Sequence, residues 1–319
     1  MILLLALFLA LSANGMLAAQ SRTPSDTTEC LIEYDGFSCV TTGRDVRRAE
    51  GILASLAERR AAGSPTRAEL MMQAAKQLLG TPYVAGTLDA PGVPCNAAPG
   101  VSPDREQLRI YLTKTDCILL VETCLDLASA VLACPADGKA DFPSFAREVW
   151  RSRYGSRDAG EYFNRIHYTT DWIRRQEGTL LRDMTLDLGG EVYAHPIHFM
   201  SRHPGNYRQL AGADPDSQRN LQKIKQMEAE LNQAPMTCIP KTRIKAIEGK
   251  IRSGDIVCFV SNVDGLDIAH VALACVTPDK VGFLHASLNE GKVVIDSQSI
   301  ADYTLGRKSL AGIKIVRPL

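Results

Sequence analysis

The chain has 319 residues, 45% hydrophobic and 23% charged, which is enough apolar material for one large domain or two ordinary ones. Its 36 basic and 36 acidic residues cancel, so it lacks the excess positive charge that marks nucleic-acid binders. Function must therefore be sought in local constellations of residues.

Ile2 to Leu11 is an unbroken apolar stretch, followed by small residues up to Ala19. It is too short to span a bilayer and has the form of a signal-peptide core with a cleavage region, so residues 1–19 are expected to be a signal peptide. The mature protein is then exported to the periplasm or cell envelope, with no later segment able to span a membrane. Nine cysteines in an exported chain leave one unpaired after any complete pairing. Cys30 and Cys39 flank a short loop and form the best local pair, whereas Cys124, Cys258 and Cys275 fall within helix or strand patterns as core thiols.

Residues 20–43 are weakly patterned and read as an extended arm. Residues 44–61 carry Val46, Ile52, Leu53 and Leu56 on one stripe, a helix. Ser64-Pro65 is expected to open a second helix, with Pro65 at its first position, Leu70, Met71, Ala74, Leu78 and Leu79 inward, and Gly80 as C-cap. A turn-rich loop from Gly80 to Asp89 follows and carries Tyr83. The long apolar run beginning at Lys114-Thr115-Asp116-Cys117 and reaching Cys134 reads as a buried helix with Thr115 as N-cap. Cys117 would then lie in its first turn, where free N–H groups and the helix dipole favour a thiolate. Position alone leaves Cys117 open to either of two readings, nucleophile or buried core thiol.

Residues 135–245 are less regular. Arg147, Arg151, Arg153, Arg157, Arg165, Arg174 and Arg175, interleaved with Tyr154, Tyr162, Tyr168 and Trp172, read as a solvated surface with aromatic anchors. His195, His198 and His203 lack the spacing of a helical zinc site, and Pro196 and Pro204 break any helix, so no metal is expected. Residues 216–232 form an amphipathic helix. From Gly254 the period changes to two, with strands at 255–260, 268–276, 281–287, 292–297 and 313–316.

A two-residue turn at Pro278-Asp279 pairs Thr277 with Lys280, and hence Ala272 with His285. This puts His270 and His285 diagonally on one sheet face, at roughly 7–8 Å between backbones. A slip of one residue would separate them. The pair, downstream of a helix-start cysteine, suits a nucleophile, a base and an orienter. Cys117 would attack an amide carbonyl, His270 would protonate the leaving amine, and His285 would fix the His270 ring. The Cys117 N–H and the Tyr83 hydroxyl would hold the oxyanion.

In order, Gly80-Thr81-Pro82-Tyr83, Thr115-Asp116-Cys117, Gly254-Asp255-Ile256-Val257, Ala269-His270-Val271 and Leu284-His285-Ala286-Ser287 resemble the hallmarks of NlpC/P60 cysteine peptidases, papain-like enzymes of bacterial cell-wall peptides. Other segments resemble a narrower branch, the N-acetylmuramoyl-L-alanine amidase-like family also called DUF1460. They include His167-Tyr168 with Asp171-Trp172, Pro196 with Phe199-Met200-Ser201, and Gly265 to His270. The resemblance spans roughly residues 44–319. It implies an α+β fold with helices packed on an antiparallel sheet, a papain-like core at 44–319 and a family insertion at about 135–245. It also implies cleavage of the amide between N-acetylmuramic acid and L-Ala in peptidoglycan fragments, without a cofactor. Cys117, His270 and His285 would be catalytic, and Tyr83, Asp116 and Asp267 would contact substrate. Ile118 and Gly86-Thr87 depart from the usual NlpC/P60 pattern, away from the γ-D-glutamyl endopeptidase specificity. That endopeptidase activity and a non-catalytic wall-binding role are the alternatives.

Overall fold

A short N-terminal hairpin stands where the sequence suggested an extended arm: β1 (Cys30–Tyr34) pairs antiparallel with β2 (Phe37–Thr41). The computed structural model describes residues 26–319 apart from 90–91, 101, 103–104 and 136–137, so the expected signal peptide lies outside the described residues. The hairpin register sets Cys30 opposite Thr41 and Cys39 opposite Ile32, so the two cysteines are not partners. Cys30 instead bonds to Cys95, 65 residues away, and Cys39 is a buried free thiol. This overturns the expected Cys30–Cys39 pair.

Helix α1 (Gly43–Ala61) is capped by Thr42. Its buried Asp45 accepts from the Leu112 and Thr113 N–H groups, both at 2.7 Å, and so bolts the segment leading to the cysteine helix onto α1. Helix α2 (Arg67–Gln77) begins later than the proline suggested. Thr66 and Glu69 form a reciprocal capping box, which fixes the start at Arg67 and leaves Ser64-Pro65 outside. Leu78 caps its other end, and Gly80 follows with φ of +80°, a conformation that favours glycine. Helix α3 (Cys117–Ala133) is buried along almost its whole length. Its N-cap is Asp116 rather than Thr115: the Asp116 carboxylate accepts from the Leu119 N–H at 3.0 Å, whereas Thr115 is drawn into a parallel bridge with Tyr83.

The stretch 135–245 holds α4 (Phe142–Tyr154), α5 (Thr169–Gln176), α6 (Phe199–Arg202) and α7 (Pro215–Leu231). It also gives β3 (Leu181–Asp183), β4 (Glu191–Tyr193) and β5 (Met236–Pro240) to the main sheet. After α8 (Ile244–Ile247) come β6 (Ile256–Ser261), β7 (Ile268–Val276), β8 (Val281–Ser287) and β9 (Lys292–Ile295). Helix α9 (Ile300–Leu305) and β10 (Leu310–Pro318) complete the described elements. The sheet order is β4-β5-β10-β6-β7-β8-β9, with β3 beside β5 along β10, and its neighbours are antiparallel. The fold is mixed α+β.

Alternation along the strands sorts two cores. Ile256, Cys258, Val260, Val271, Leu273 and Leu284 face the cluster that holds α1 to α4. Val257, Phe259, Ala272, Ala274, Phe283 and Ile313 pack on the other face with Ile244, Ile247 and Ile300.

The arginine-rich stretch is not all surface. Arg153 is buried and donates to Glu122 Oε2 from Nε at 3.0 Å and from Nη2 at 2.5 Å, while Arg165, also buried, lies 3.0 Å from Glu106. The partners sit on α3 and in the loop before it, far away in sequence. Asp126, one turn along from Glu122, is buried too, and burial pushes its carboxyl well up. Arg153→Met would leave the Glu122 charge uncompensated in the core and should cost about 3–5 kcal/mol in urea unfolding. The double variant Glu122→Leu/Arg153→Met should recover most of that loss.

Candidate active site

A β-ladder joins the two halves of the site. The Gly80 N–H donates to the Val293 carbonyl at 2.9 Å, the Val293 N–H to Thr81 at 2.9 Å, and the Tyr83 N–H to Gly291 at 2.8 Å. On its other side the same loop takes the Thr115 N–H onto the Pro82 carbonyl at 3.0 Å and gives the Val84 N–H to Thr115 at 2.8 Å. The tyrosine loop therefore lies between the β8–β9 turn and the start of α3.

The β7–β8 register is the expected one. Leu273 opposes Leu284 and Val276 opposes Val281, which extends to Ala272 opposite His285. His270 Nε2 lies 2.7 Å from His285 Nδ1, and the rings meet edge to face at 85° with centroids 4.9 Å apart. Phe259, Phe283 and Tyr303 surround the pair. Arg307 stacks on Tyr303 with its guanidinium 3.3 Å from the ring centroid.

Cys117 comes from the opposite side. Its sulfur faces the backbone N–H of Val271, next to His270, and the N–H groups of Ile118 and of Cys117 itself. Among the described residues no hydrogen bond joins Cys117 to His270, and His270 Nδ1 is left open. Tyr83 and Tyr303 both lie within electrostatic reach of the sulfur. Burial, reinforced by the neighbouring Asp116 carboxylate, pushes the Cys117 thiol up to about 12. Burial, with His285 and the Arg307 charge, pushes His270 down to about 3. Both shifts work against the expected resting thiolate, since desolvation outweighs the helix-start N–H groups.

The remaining candidates divide. Asp116 and Asp267 line one cavity of about 280 Å³, together with Ile118, Arg165 and Trp172. Both carboxylates are engaged in the fold, Asp116 as the α3 cap and Asp267 by accepting from the Thr170 N–H at 2.8 Å. Tyr83 sits beside Cys117 on the clamped loop. His195 lies 2.9 Å from the Leu266 carbonyl and His198 lies 3.1 Å from Asp264, so both dock the segment before α6 on the β6–β7 turn. Gly265 at that turn has φ of +77°, and a Cβ there would come within 2.7 Å of His198 and 2.9 Å of the Phe199 nitrogen. His203 lies 2.9 Å from the Phe199 carbonyl. Asp255, of the Gly-Asp motif, is a structural residue that takes Arg317 at 2.8 and 2.7 Å. Among the described residues no group of three or more His, Cys, Asp or Glu side chains could hold a metal ion.

Sequence reading missed Asp296. It follows β9 by one residue, and its Oδ2 lies 3.3 Å from His285 Nε2. An acidic residue just past a strand carried no signal, because its role depends on how the chain turns.

A model of the AmiA-like, N-acetylmuramoyl-L-alanine amidase-like family matches residues 73–312. The chain belongs to that family. No curated protein matches it. It is similar to the crystal structure of an N-acetylmuramoyl-L-alanine amidase from Bacteroides uniformis, at 30% identity and a TM-score of 0.68, with 78% of this chain and 98% of that one covered. A protein from Bacteroides fragilis named as a putative xylanase is similar at 30% identity and a TM-score of 0.64, over 76% of this chain and 98% of that one. A Legionella pneumophila protein of the DUF1460 family model shares the fold at 20% identity and a TM-score of 0.63, covering 88% of this chain and 97% of that one.

Two titrations check the electrostatics of the site. The native Cys117 thiol should alkylate slowly with iodoacetamide at pH 7 and faster with each step to pH 10, without a plateau near neutrality. The His270 ring protons should keep their neutral NMR shifts down to about pH 4, since its folded pKa lies below the unperturbed value of about 6.5.

Proposed function

We propose that the protein is a cysteine-dependent amidase that cleaves the amide between N-acetylmuramic acid and L-Ala in peptidoglycan fragments. The observation that carries this reading is the 2.7 Å contact between His270 Nε2 and His285 Nδ1, one residue from the Val271 N–H that faces the Cys117 sulfur. It leaves His270 Nδ1 as the open nitrogen of a held ring, one residue along the strand from the N–H that faces a helix-start thiol. Membership of an amidase-like family supports the substrate class. A cysteine helix packed against a strand that carries the histidine supports an NlpC/P60-type, papain-like core, with residues 135–245 as its insertion.

In this mechanism His270 Nδ1 takes the thiol proton as the sulfur bonds to the lactyl carbonyl carbon of the sugar. Catalytic hydrogen bonds are often long in unliganded enzymes and tighten around substrate, so the neutral resting pair suits activation upon attack. The Cys117 N–H and the Tyr83 hydroxyl stabilise the oxyanion. As the C–N bond breaks, His270 returns the proton to the departing L-Ala nitrogen. Water, deprotonated by the same nitrogen, then hydrolyses the thioester and frees the thiol. Asp116 and Asp267 shape the wall of the neighbouring cavity, where substrate contacts are expected. Glycoside hydrolysis, which uses two carboxyl groups flanking the scissile bond, fits less well, because Asp116 and Asp267 are both engaged as backbone caps. Export under the signal peptide at residues 1–19 would bring the enzyme to its substrate.

The deciding experiment is mass spectrometry of a disaccharide-tetrapeptide incubated with the protein lacking residues 1–19, with Cys117→Ala in parallel. Free tetrapeptide and intact disaccharide are expected, and the variant should lose at least 1,000-fold in rate. A sugar still bearing L-Ala-D-Glu would instead mean endopeptidase cleavage. Unchanged substrate would mean wall binding without catalysis.

A further inference from the structure

The contact between His270 and His285 leaves open which ring carries the bridging proton. An imidazole pair at 2.7 Å can be joined with the proton on either nitrogen. In one arrangement His270 Nε2–H donates to His285 Nδ1, and His270 Nδ1 keeps its lone pair. In the other, His285 donates, and a neutral His270 then carries its proton on Nδ1 and has no basic lone pair to offer.

The far side of His285 decides between them. Its buried Nε2 has no hydrogen-bond partner among the described residues, and Asp296 Oδ2 lies 3.3 Å away, within ion-pair distance of it. Asp296 is itself held: its Oδ1 accepts from the Gln298 N–H at 2.8 Å, and its own N–H donates to the Phe283 carbonyl at 2.9 Å, on the strand that bears His285. Oδ2 is then the carboxylate oxygen whose negative charge acts on the imidazole at close range. A carboxylate can only accept, so the proton of neutral His285 is favoured on Nε2. His285 Nδ1 is then an acceptor, His270 must donate from Nε2, and its basic lone pair is on Nδ1.

We propose that Asp296 is a positioning residue that sets the tautomers of both histidines and thereby makes His270 Nδ1 the catalytic base. The roles of Cys117 and His270 in this statement rest on the amidase reading, whereas the tautomer assignment does not. When His270 Nδ1 receives the thiol proton, the positive charge is shared with His285 through the Nε2–Nδ1 bond, and Asp296 lies behind it as the counter-charge. Asp296 does not take the proton. Other charged or titratable groups act on the pair from the elements around it. Arg307, after α9, disfavours protonation of both rings, and Glu290, in the β8–β9 turn, favours it at His285. Tyr303 of α9 lies against both rings, and Cys117 of α3 lies within electrostatic reach of Tyr303.

The test is Asp296→Asn, an isostere whose amide can present either a donor or an acceptor to His285. Nitrogen-15 NMR of the histidine-labelled wild type at pH 7 should show both Nδ1 atoms unprotonated and both Nε2 atoms protonated. In Asp296→Asn a mixture of tautomers is expected at both rings, with an unchanged melting profile by circular dichroism. Turnover of the disaccharide-tetrapeptide should fall about 10- to 100-fold in kcat with KM preserved. The acid limb of the pH profile should move to lower pH, since loss of the carboxylate disfavours the imidazolium. Asp296→Glu should restore the wild-type tautomers and part of the rate. Wild-type His285 protonated at Nδ1, or tautomers unmoved by Asp296→Asn, would overturn the proposal. A wild type that shows the assigned tautomers without cleaving this substrate would count against the amidase reading alone.

Discussion

The backbone ladder of the loop around Tyr83 is the constraint on which the site depends. One edge of that loop is hydrogen-bonded to Val293 and Gly291, in the hairpin that carries His285. The other edge is hydrogen-bonded to Thr115, two residues before Cys117. Cys117 and the two histidines lie more than 150 residues apart in sequence, yet a few main-chain bonds tie the segments that carry them. Asp45 adds a second anchor by gripping the Leu112 and Thr113 N–H groups. Neither anchor uses the Cys117, His270 or His285 side chain, so these three are placed without being spent as anchors.

That economy has an electrostatic counterpart. The first turn of α3 offers N–H groups to the sulfur, but burial and the Asp116 carboxylate work against ionisation, and the thiol stays protonated. On the histidine side, Arg307 sits on Tyr303 and adds to the cost of a cation in an aromatic setting. A site of this kind stores no ion pair at rest. A protonated sulfur is less open to adventitious oxidation, since it is the thiolate that oxidises.

The sequence was most legible where one local rule governs. The turn at Pro278-Asp279 fixed the β7–β8 register, and from it followed the juxtaposition of His270 and His285, confirmed to the residue. Strands β7 and β8 and helices α1 and α7 fall within a residue or so of their expected limits for the same reason. Features decided by distant partners were illegible. Thr115 lost the α3 cap to Asp116 because Tyr83 engages its backbone. Cys30 found Cys95 across a long loop, and Arg153 was read as surface because Glu122 lies on another helix. The setting of Cys117 was illegible in a different way, since a sequence shows the helix start but not the depth at which it is buried.

Strand β10 is the last of the described elements to be made, yet it lies in the interior of the sheet, hydrogen-bonded to β6 along one side and to β5 and β3 along the other. The segments it joins therefore present unpaired strand edges until residues 310–318 exist. Sheet assembly in this chain is a late, non-local event governed by loop-closure entropy, and the polypeptide has a long period of exposure during which it must be kept from pairing with other chains.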